Sequence, residues 1–301
     1  MSTLFVGLGM MGTPMVRRLA GTTDLVLFDL SPAAQTLASE LGARAIPDLS
    51  LIPHDVDSVV LMLPNSRIIE SVLVDGDQLL AKLNTGAIVV DMSSSVPAST
   101  CELARRASEL GIDFVDAPVS GGVTKARTGE LAIMAGGDPH AVERARAIVA
   151  PMSSTFIHVG PSGAGHAAKA LNNLISATNL AAIAEVLVVA TRFGIDPAIL
   201  VDVINASTGR SQASEVKYPQ QVLTGEYASG FALDLMVKDV RIALSLADEL
   251  GVDSPVTHAA AGVTEAALRD LGGAGLDHTQ IAEWYETTHS VLLRPHERNP
   301  S

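Results

Sequence analysis

Basic charge, thiols and aromatic rings are all scarce in this chain. Lys and Arg number 20 against 33 Asp and Glu, giving a formal net charge of −13. Nucleic acid and anionic membrane surfaces are held by clustered basic residues, so this balance excludes both as partners. The one cysteine, Cys101, excludes an internal disulfide framework and fits a reducing, cytoplasmic compartment. Aromatics are 3% of a chain that is 48% hydrophobic, so the core must be built from Ala, Leu, Val, Ile and Met. No basic start leads into an apolar run, which argues against a signal peptide. No uncharged apolar stretch of 18 residues occurs; the nearest, 180–190, contains Glu185. The histidines show no metal-ligand spacing, and no metal is expected. Fixed-period repeats and low-complexity tracts are absent too.

What is present is organised from the N-terminus. A short apolar run, 3–6, leads into GLGMMG and then into a helix start at 13–20. Gly7, Gly9 and Gly12 form G-x-G-x-x-G, with Leu8, Met10 and Met11 between them. The glycines serve a tight turn, a close approach of backbone to pyrophosphate, and helix–strand packing. The helix N-terminus then faces the phosphates. A second strand, 25–28, ends in Asp29, where a carboxylate would bind a ribose 2′-OH. Leu30-Ser31-Pro32 offers no Arg for a 2′-phosphate. The expected cofactor is therefore NAD in preference to NADP. The alternative is a Gly-rich turn with an ordinary Asp cap.

Strand-like and helix-like runs keep alternating: strands at 56–63, 87–92, 112–115, 131–135 and 155–159, helices at 37–41, 69–73, 101–110 and 141–149. This pattern predicts an α/β fold with a doubly wound parallel sheet, which binds ligands beyond the carboxyl ends of its strands. Leu63 and Pro64 stand at one such end, Ser94 at another, and all three are candidates to line the cofactor. A plain helix cap is the other reading of Ser94. Ser120, Gly121 and Gly122 follow a further strand. Their backbone N–H groups and hydroxyl suit a substrate carboxylate; an ordinary flexible turn is the alternative.

Residues 163–193 hold no Pro and read as one long helix. Helices at 197–205, 214–223, 233–250, 255–271 and 279–293 follow without a strand signal, so the C-terminal domain is expected to be all-α. The expected organisation is 1–161 for the dinucleotide, 162–193 as a connecting helix, and 194–301 for substrate and oligomerisation. Lys169 and Asn173 lie one turn apart on one helix face. Their apolar neighbours argue that Lys169 faces a cleft and handles a proton. Phe231, Leu235, Lys238 and Ile242 share another face, with one Lys in an otherwise apolar stripe. His166 is one turn before Lys169, where it either tunes the lysine or is a helix-surface or capping residue. Arg210 either meets the far end of a substrate or is a solvated loop residue. Leu180, Ile183, Leu187 and Val188 are expected to pack subunits into a homodimer or homotetramer.

Five motifs occur in an order that resembles the β-hydroxyacid dehydrogenase family: GLGMMGTPM, DMSSSVP, DAPVSGGVTKARTGELAIMAGG, GAGHAAKALNN and LMVKDV. The resemblance spans nearly the whole chain, and within the family it is to the 3-hydroxyisobutyrate dehydrogenase and tartronate semialdehyde reductase branch. It implies an N-terminal Rossmann domain, a C-terminal domain like that of 6-phosphogluconate dehydrogenase, and NAD-dependent oxidation of a short 3-hydroxy acid. The first expectation is 3-hydroxyisobutyrate; tartronate semialdehyde (glycerate) and 4-hydroxybutyrate with succinic semialdehyde are alternatives. Carried over by motif, Lys169 is catalytic, while Asn173 and Ser120-Gly121-Gly122 hold substrate. Lys238 lies near both nicotinamide and substrate, with Phe231 beside it. Ser94 stands where the family usually has Thr, so the hydroxyl is retained. Asn172 replaces the His of the 6-phosphogluconate branch. A non-catalytic NAD-binding module would be expected to lose the lysine, and an imine reductase would not need the Ser-Gly-Gly.

The chemistry needs a base for the hydroxyl proton. A free Lys, at a pKa of about 10.4, is too basic at neutral pH. A dry cleft and the second cation Lys238 are the expected causes of a lower value in Lys169.

Overall fold

In the computed structural model residues 2–295 are described; residues 1 and 296–301 of the expected segments lie outside the described residues. Short runs, most of them apolar and several closed by Gly or Asp, build nine strands: β1 (Ser2–Val6), β2 (Asp24–Phe28), β3 (Arg44–Ala45), β4 (Val56–Leu61), β5 (Ile88–Asp91), β6 (Asp113–Asp116), β7 (Val119–Ser120), β8 (Leu131–Gly136) and β9 (Ser153–Gly160). Between them run α1 (Gly12–Leu19), α2 (Ala33–Leu41), α3 (Ser66–Glu70), α4 (Leu79–Lys82), α5 (Pro97–Glu109), α6 (Gly122–Thr128) and α7 (Pro139–Val149). The sheet order is β3-β2-β1-β4-β5-β6-β8-β7, with β9 on β8.

Alternate side chains of each strand enter opposite layers. Phe5, Leu27, Val60 and Val90 pack with Met15 and Val142 on one face. Leu4, Val26, Val59 and Val89 pack with Ile69 and Leu103 on the other. Such two-sided burial gives the continuous apolar runs of a doubly wound sheet. The sheet is mostly parallel, as expected, with one departure: β8 runs antiparallel to β6 and β7. Only residues 121–130 separate β7 from β8. A parallel crossover needs about a dozen residues or more, so the chain returns in the opposite sense.

The chain divides into two compact units, Met1–Lys169 and Ala170–Ser301, and the division falls inside α8 (Ala164–Phe193). The second unit holds the rest of α8 and then α9 (Pro197–Asn205), a π-helical stretch Ala213–Val222, α10 (Leu233–Glu249), α11 (Pro255–Asp270) and α12 (Ile281–His289). Pro219 sits inside the π-helical stretch; its missing N–H interrupts the regular ladder there. Apart from one isolated bridge between Ala232 and Asp277, no strand pairing occurs among the described residues of this unit.

Leu180, Ile183, Leu187 and Val188 do not form the outward surface expected of them. They are buried in the core of the second unit with Tyr218, Val240 and Ile281. The outward apolar stripe is instead Leu171, Ile175, Val186, Val189 and Phe193, each at least 45% exposed. By length and composition alone α8 is apolar enough to cross a membrane, although no uncharged 18-residue run was found in the sequence. Its buried face serves as the central core element of the second unit.

Candidate active site

The Gly-rich turn follows β1. Gly7 has φ +98°, and a Cβ there would lie 2.3 Å from the Met62 carbonyl oxygen. At Gly12 a Cβ would lie 1.9 Å from the Gly7 oxygen. The fold itself demands both glycines. A Cβ on Gly9 would meet nothing within 4 Å, so packing does not explain Gly9. The open side of the turn is where a dinucleotide pyrophosphate would approach the backbone, and the residues present fit that group. Met11 gives α1 no side-chain cap; the Thr13 N–H donates to the Gly9 carbonyl at 3.0 Å, and Pro14 has no N–H to offer. Met10 is exposed and Met11 half-buried. A cavity of about 590 Å³ opens beside the turn, lined by Leu8, Gly9 and Met10 and across from them by Val123 and Arg127 of α6.

Asp29 does more than the sequence suggested. Its Oδ2 accepts from the Leu8 N–H at 2.6 Å and its Oδ1 from the Ser31 N–H at 2.7 Å. The carboxylate therefore locks the turn, with lone pairs left for a ribose hydroxyl.

The strand-end loops are tied together. The Leu63 N–H donates to Ser93 Oγ at 2.9 Å, and the Ser93 N–H donates to Asp91 Oδ1 at 3.0 Å. Pro64 follows Leu63 directly, and Asn65 caps α3 through the Ile68 N–H. Ser94 is half-buried and does not cap α5, whose N-cap residue is Val96. Ser120 ends β7, Gly121 precedes α6 and Gly122 opens it, with φ +131° and +66° at the glycines. The segment is a strand-to-helix junction rather than a flexible turn, and its left-handed backbone requires glycine.

His166 is neither a surface nor a capping residue. Its side chain is fully buried, with Nδ1 2.8 Å from Thr100 Oγ1 and Nε2 3.1 Å from the Ser93 carbonyl. Asp116 accepts from the Gly163 N–H at 2.8 Å and the His166 N–H at 2.9 Å. Burial pushes the Asp116 carboxyl above its ordinary range, while His166 and these N–H groups pull the other way.

Lys169 is half-buried on α8 and shares a face with Asn173, one turn on. Asn173 is buried, and its Nδ2 donates to Asp239 Oδ2 at 2.6 Å. A carboxylate only accepts, so Asp239 fixes the amide with its carbonyl oxygen turned the other way. Lys238 Nζ lies 3.4 Å from Asp239 Oδ1. Lys238 is thus paired with an acid on its own helix. Phe231 precedes α10 rather than sitting on it; it is set edge-on to His278 at 5.4 Å, and its carbonyl accepts from the His278 N–H at 2.9 Å. Arg210 is exposed, 3.5 Å from Glu215. Among the described residues no three His, Cys, Asp or Glu side chains gather as metal ligands do.

The family model described as the NAD-binding domain of 6-phosphogluconate dehydrogenase matches residues 3–160, and that of NADP-dependent 3-hydroxyisobutyrate dehydrogenase matches residues 163–285. The chain is 36% identical over 290 residues to 2-(hydroxymethyl)glutarate dehydrogenase of Eubacterium barkeri, covering 96% of each chain. The chain belongs to the β-hydroxyacid dehydrogenase family.

This dehydrogenase is also 33% identical to 3-hydroxyisobutyrate dehydrogenase of Pseudomonas aeruginosa, over 93% of its own length and 97% of the relative. A solved 3-hydroxyisobutyrate dehydrogenase of Mycobacterium tuberculosis, with L-serine, superposes with a TM-score of 0.87 at 31% identity, covering 94% of this chain and 98% of that one. The dehydrogenase is an NAD-binding oxidoreductase with a Rossmann-type domain followed by a helical one. Two residues of its candidate site escaped the sequence reading. Asp239 was legible in principle, as an acid next to Lys238 between Val237 and Val240 on α10. Asp116 and its contact with His166 are 50 residues apart, and no local pattern signals such a pair.

Proposed function

We propose that the enzyme uses NAD to oxidise the primary alcohol of a short 3-hydroxy acid, HOCH2–CH(R)–COO⁻, to the aldehyde, with 3-hydroxyisobutyrate as the substrate. The observation that carries this reading is the pairing of Lys169 and Asn173 on α8, with the Asn173 amide fixed by Asp239. The names of the relatives support it: 3-hydroxyisobutyrate, 2-(hydroxymethyl)glutarate and the L-serine of the solved structure all contain HOCH2–CH–COO⁻. They differ only in R.

Bound NAD supplies the hydride acceptor. Gly7, Gly9 and Gly12, with Leu8, Met10 and Met11, hold its pyrophosphate, and Asp29 binds the ribose. Leu63, Pro64, Ser94 and Lys238 line the rest of the cofactor. Asp29 repels a 2′-phosphate, which favours NAD over NADP. Lys169 accepts the hydroxyl proton. The Asn173 carbonyl oxygen accepts a hydrogen bond from the substrate hydroxyl or from the lysine. Ser120, Gly121 and Gly122 hold the carboxylate, and Phe231 and Lys238 border R. Residues 1–161 serve the cofactor, 162–193 connect, and 194–301 serve substrate and assembly. Two or four copies pack through the stripe of Leu171, Ile175, Val186, Val189 and Phe193, and the single cysteine supports a cytoplasmic setting.

The test is NADH formation with a panel of 3-hydroxyisobutyrate, 2-(hydroxymethyl)glutarate, L-serine, glycerate and 4-hydroxybutyrate. Highest kcat/KM with 3-hydroxyisobutyrate is expected. A different winner among the first four replaces R; 4-hydroxybutyrate as the winner overturns the 3-hydroxy acid reading, and no turnover with any of them overturns the reaction class.

A further inference from the structure

Gly163 and Gly165 let α8 start unusually close to the sheet. A Cβ on Gly165 would lie 2.4 Å from the Met134 oxygen and 2.7 Å from that of Asp116; one on Gly163 would lie 2.9 Å from Cys101 Sγ. This approach drives the His166 ring between the ends of β5 and β6. Its Nε2 lies 3.1 Å from the Ser93 carbonyl, which can only accept, so Nε2 carries a proton. The Thr100 hydroxyl has one proton and is placed to donate it to the Val96 carbonyl at 3.1 Å. With that proton turned to Val96, Thr100 Oγ1 is an acceptor for His166 Nδ1, 2.8 Å away; with it turned to the ring, Nδ1 is bare, and the flanking carboxylates favour the first arrangement. A ring with both nitrogens protonated is an imidazolium. The counter-charges are in place: Asp91 Oδ2 lies 3.9 Å from Nε2 and Asp116 Oδ2 lies 3.9 Å from Nδ1. Buried charges persist where they are paired and hydrogen-bonded in this way.

We propose that His166 is a buried imidazolium, clamped between Asp91 and Asp116, and that it is a positioning residue for Lys169. The clamp joins three parts of the site within one unit. Ser93 receives the ring at its carbonyl and the Leu63 N–H at its hydroxyl, so the loops bearing Leu63, Pro64 and Ser94 are fixed to α8. Asp116 fixes the first turn of α8 through Gly163 and His166. Lys169 stands one turn further along. The titratable groups facing the ring are Asp91 from β5 and Asp116 from β6; Cys101 of α5 lies beside Asp116 and Gly163, and Lys169 follows on the same helix. Cys101 adds no charge: burial raises its thiol pKa, and Sγ donates to the Ser162 carbonyl. The catalytic part of the inference rests on the reading of Lys169 as proton acceptor; the protonation state does not.

The test is the imidazole nitrogen spectrum of the ¹⁵N-labelled protein without cofactor, across pH 6 to 9, with His166 assigned by its loss in His166→Gln. Both ring nitrogens protonated at neutral pH and above are expected; a neutral tautomer at pH 7 overturns the proposal. If His166→Gln does not fold, Asp116→Asn takes its place: the ring should titrate at lower pH than in the wild type, and unchanged titration overturns it. In kinetics, His166→Gln leaves two carboxylates without their cation beside the helix of Lys169. The pH limb of kcat for alcohol oxidation should move up by about one unit. His166→Gln with Asp116→Asn should move it back. A limb that does not move in His166→Gln, when the wild type shows the imidazolium spectrum, overturns the positioning role. Loss of the Lys169 assignment alone would leave the spectrum as predicted.

Discussion

Gly9 and Gly12 belong to one motif, yet adding a methyl group should do opposite things at each. At Gly9 the new Cβ meets nothing within 4 Å, and the backbone is outside the left-handed region. Gly9→Ala should therefore be neutral or stabilising, by about 0.4–1 kcal/mol, through the unfolded chain. The methyl group occupies the side on which the pyrophosphate approaches. Losing one charge-assisted hydrogen bond there costs about 1.5–3 kcal/mol. At about 1.4 kcal/mol per decade, NAD should bind roughly ten- to a hundred-fold more weakly. At Gly12 the Cβ falls 1.9 Å from the Gly7 oxygen and 3.3 Å from Phe5 Cε1. Backbone cannot rotate away, so overpacking should cost about 1–3 kcal/mol or more and lower Tm before any ligand is added. Thermal unfolding and calorimetric NAD titration on both variants separate the two effects. Wild-type NAD affinity in Gly9→Ala, or a Tm loss there matching that of Gly12→Ala, would refute the reasoning.

Asp29→Asn should narrow the preference for NAD over NADP and also weaken NAD. The amide can replace only one of the two acceptors used by Leu8 and Ser31, so a gain in NADP use with unimpaired NAD binding would count against the locking role. Asp239→Asn should free the Asn173 amide to turn and lower kcat by roughly tenfold or more, the worth of a hydrogen bond to a charged group, with NAD affinity kept; unchanged kcat would remove Asp239 from the site. Val189→Glu, at a position 66% exposed, should yield monomers by light scattering. An intact oligomer would move the interface elsewhere.

The Rossmann half was legible because its central strands are short apolar runs and the glycines stand between a strand and a helix; β3, only Arg44–Ala45, was not. The return through β7 and β8 was not, since a strand of two residues has no periodicity to read. α8 was visible as a long helix without proline, but its sides were not. Apolar residues run all round it, so Leu187 and Val186 look alike in sequence while one lies in the core and the other outside. Lys169 and Asn173 could be paired from helical spacing alone. Their supports could not: Asn173 meets Asp239 across 66 residues and His166 meets Ser93 across 73. The first contact arises only when α10 packs on α8, and the second only when the start of α8 meets the end of β5.

The central claim is that Lys169 takes the hydroxyl proton. It is tested most directly by NADH formation from 3-hydroxyisobutyrate at saturating NAD, comparing wild type with Lys169→Ala and Lys169→Arg. The account predicts a fall in kcat of roughly two to four orders of magnitude in the Ala variant, the worth of a positioned acid–base group. NAD affinity should be nearly unchanged. Arg should give no rescue, because guanidinium holds its proton at neutral pH. Turnover largely retained in Lys169→Ala, or a defect confined to NAD binding, would contradict the account.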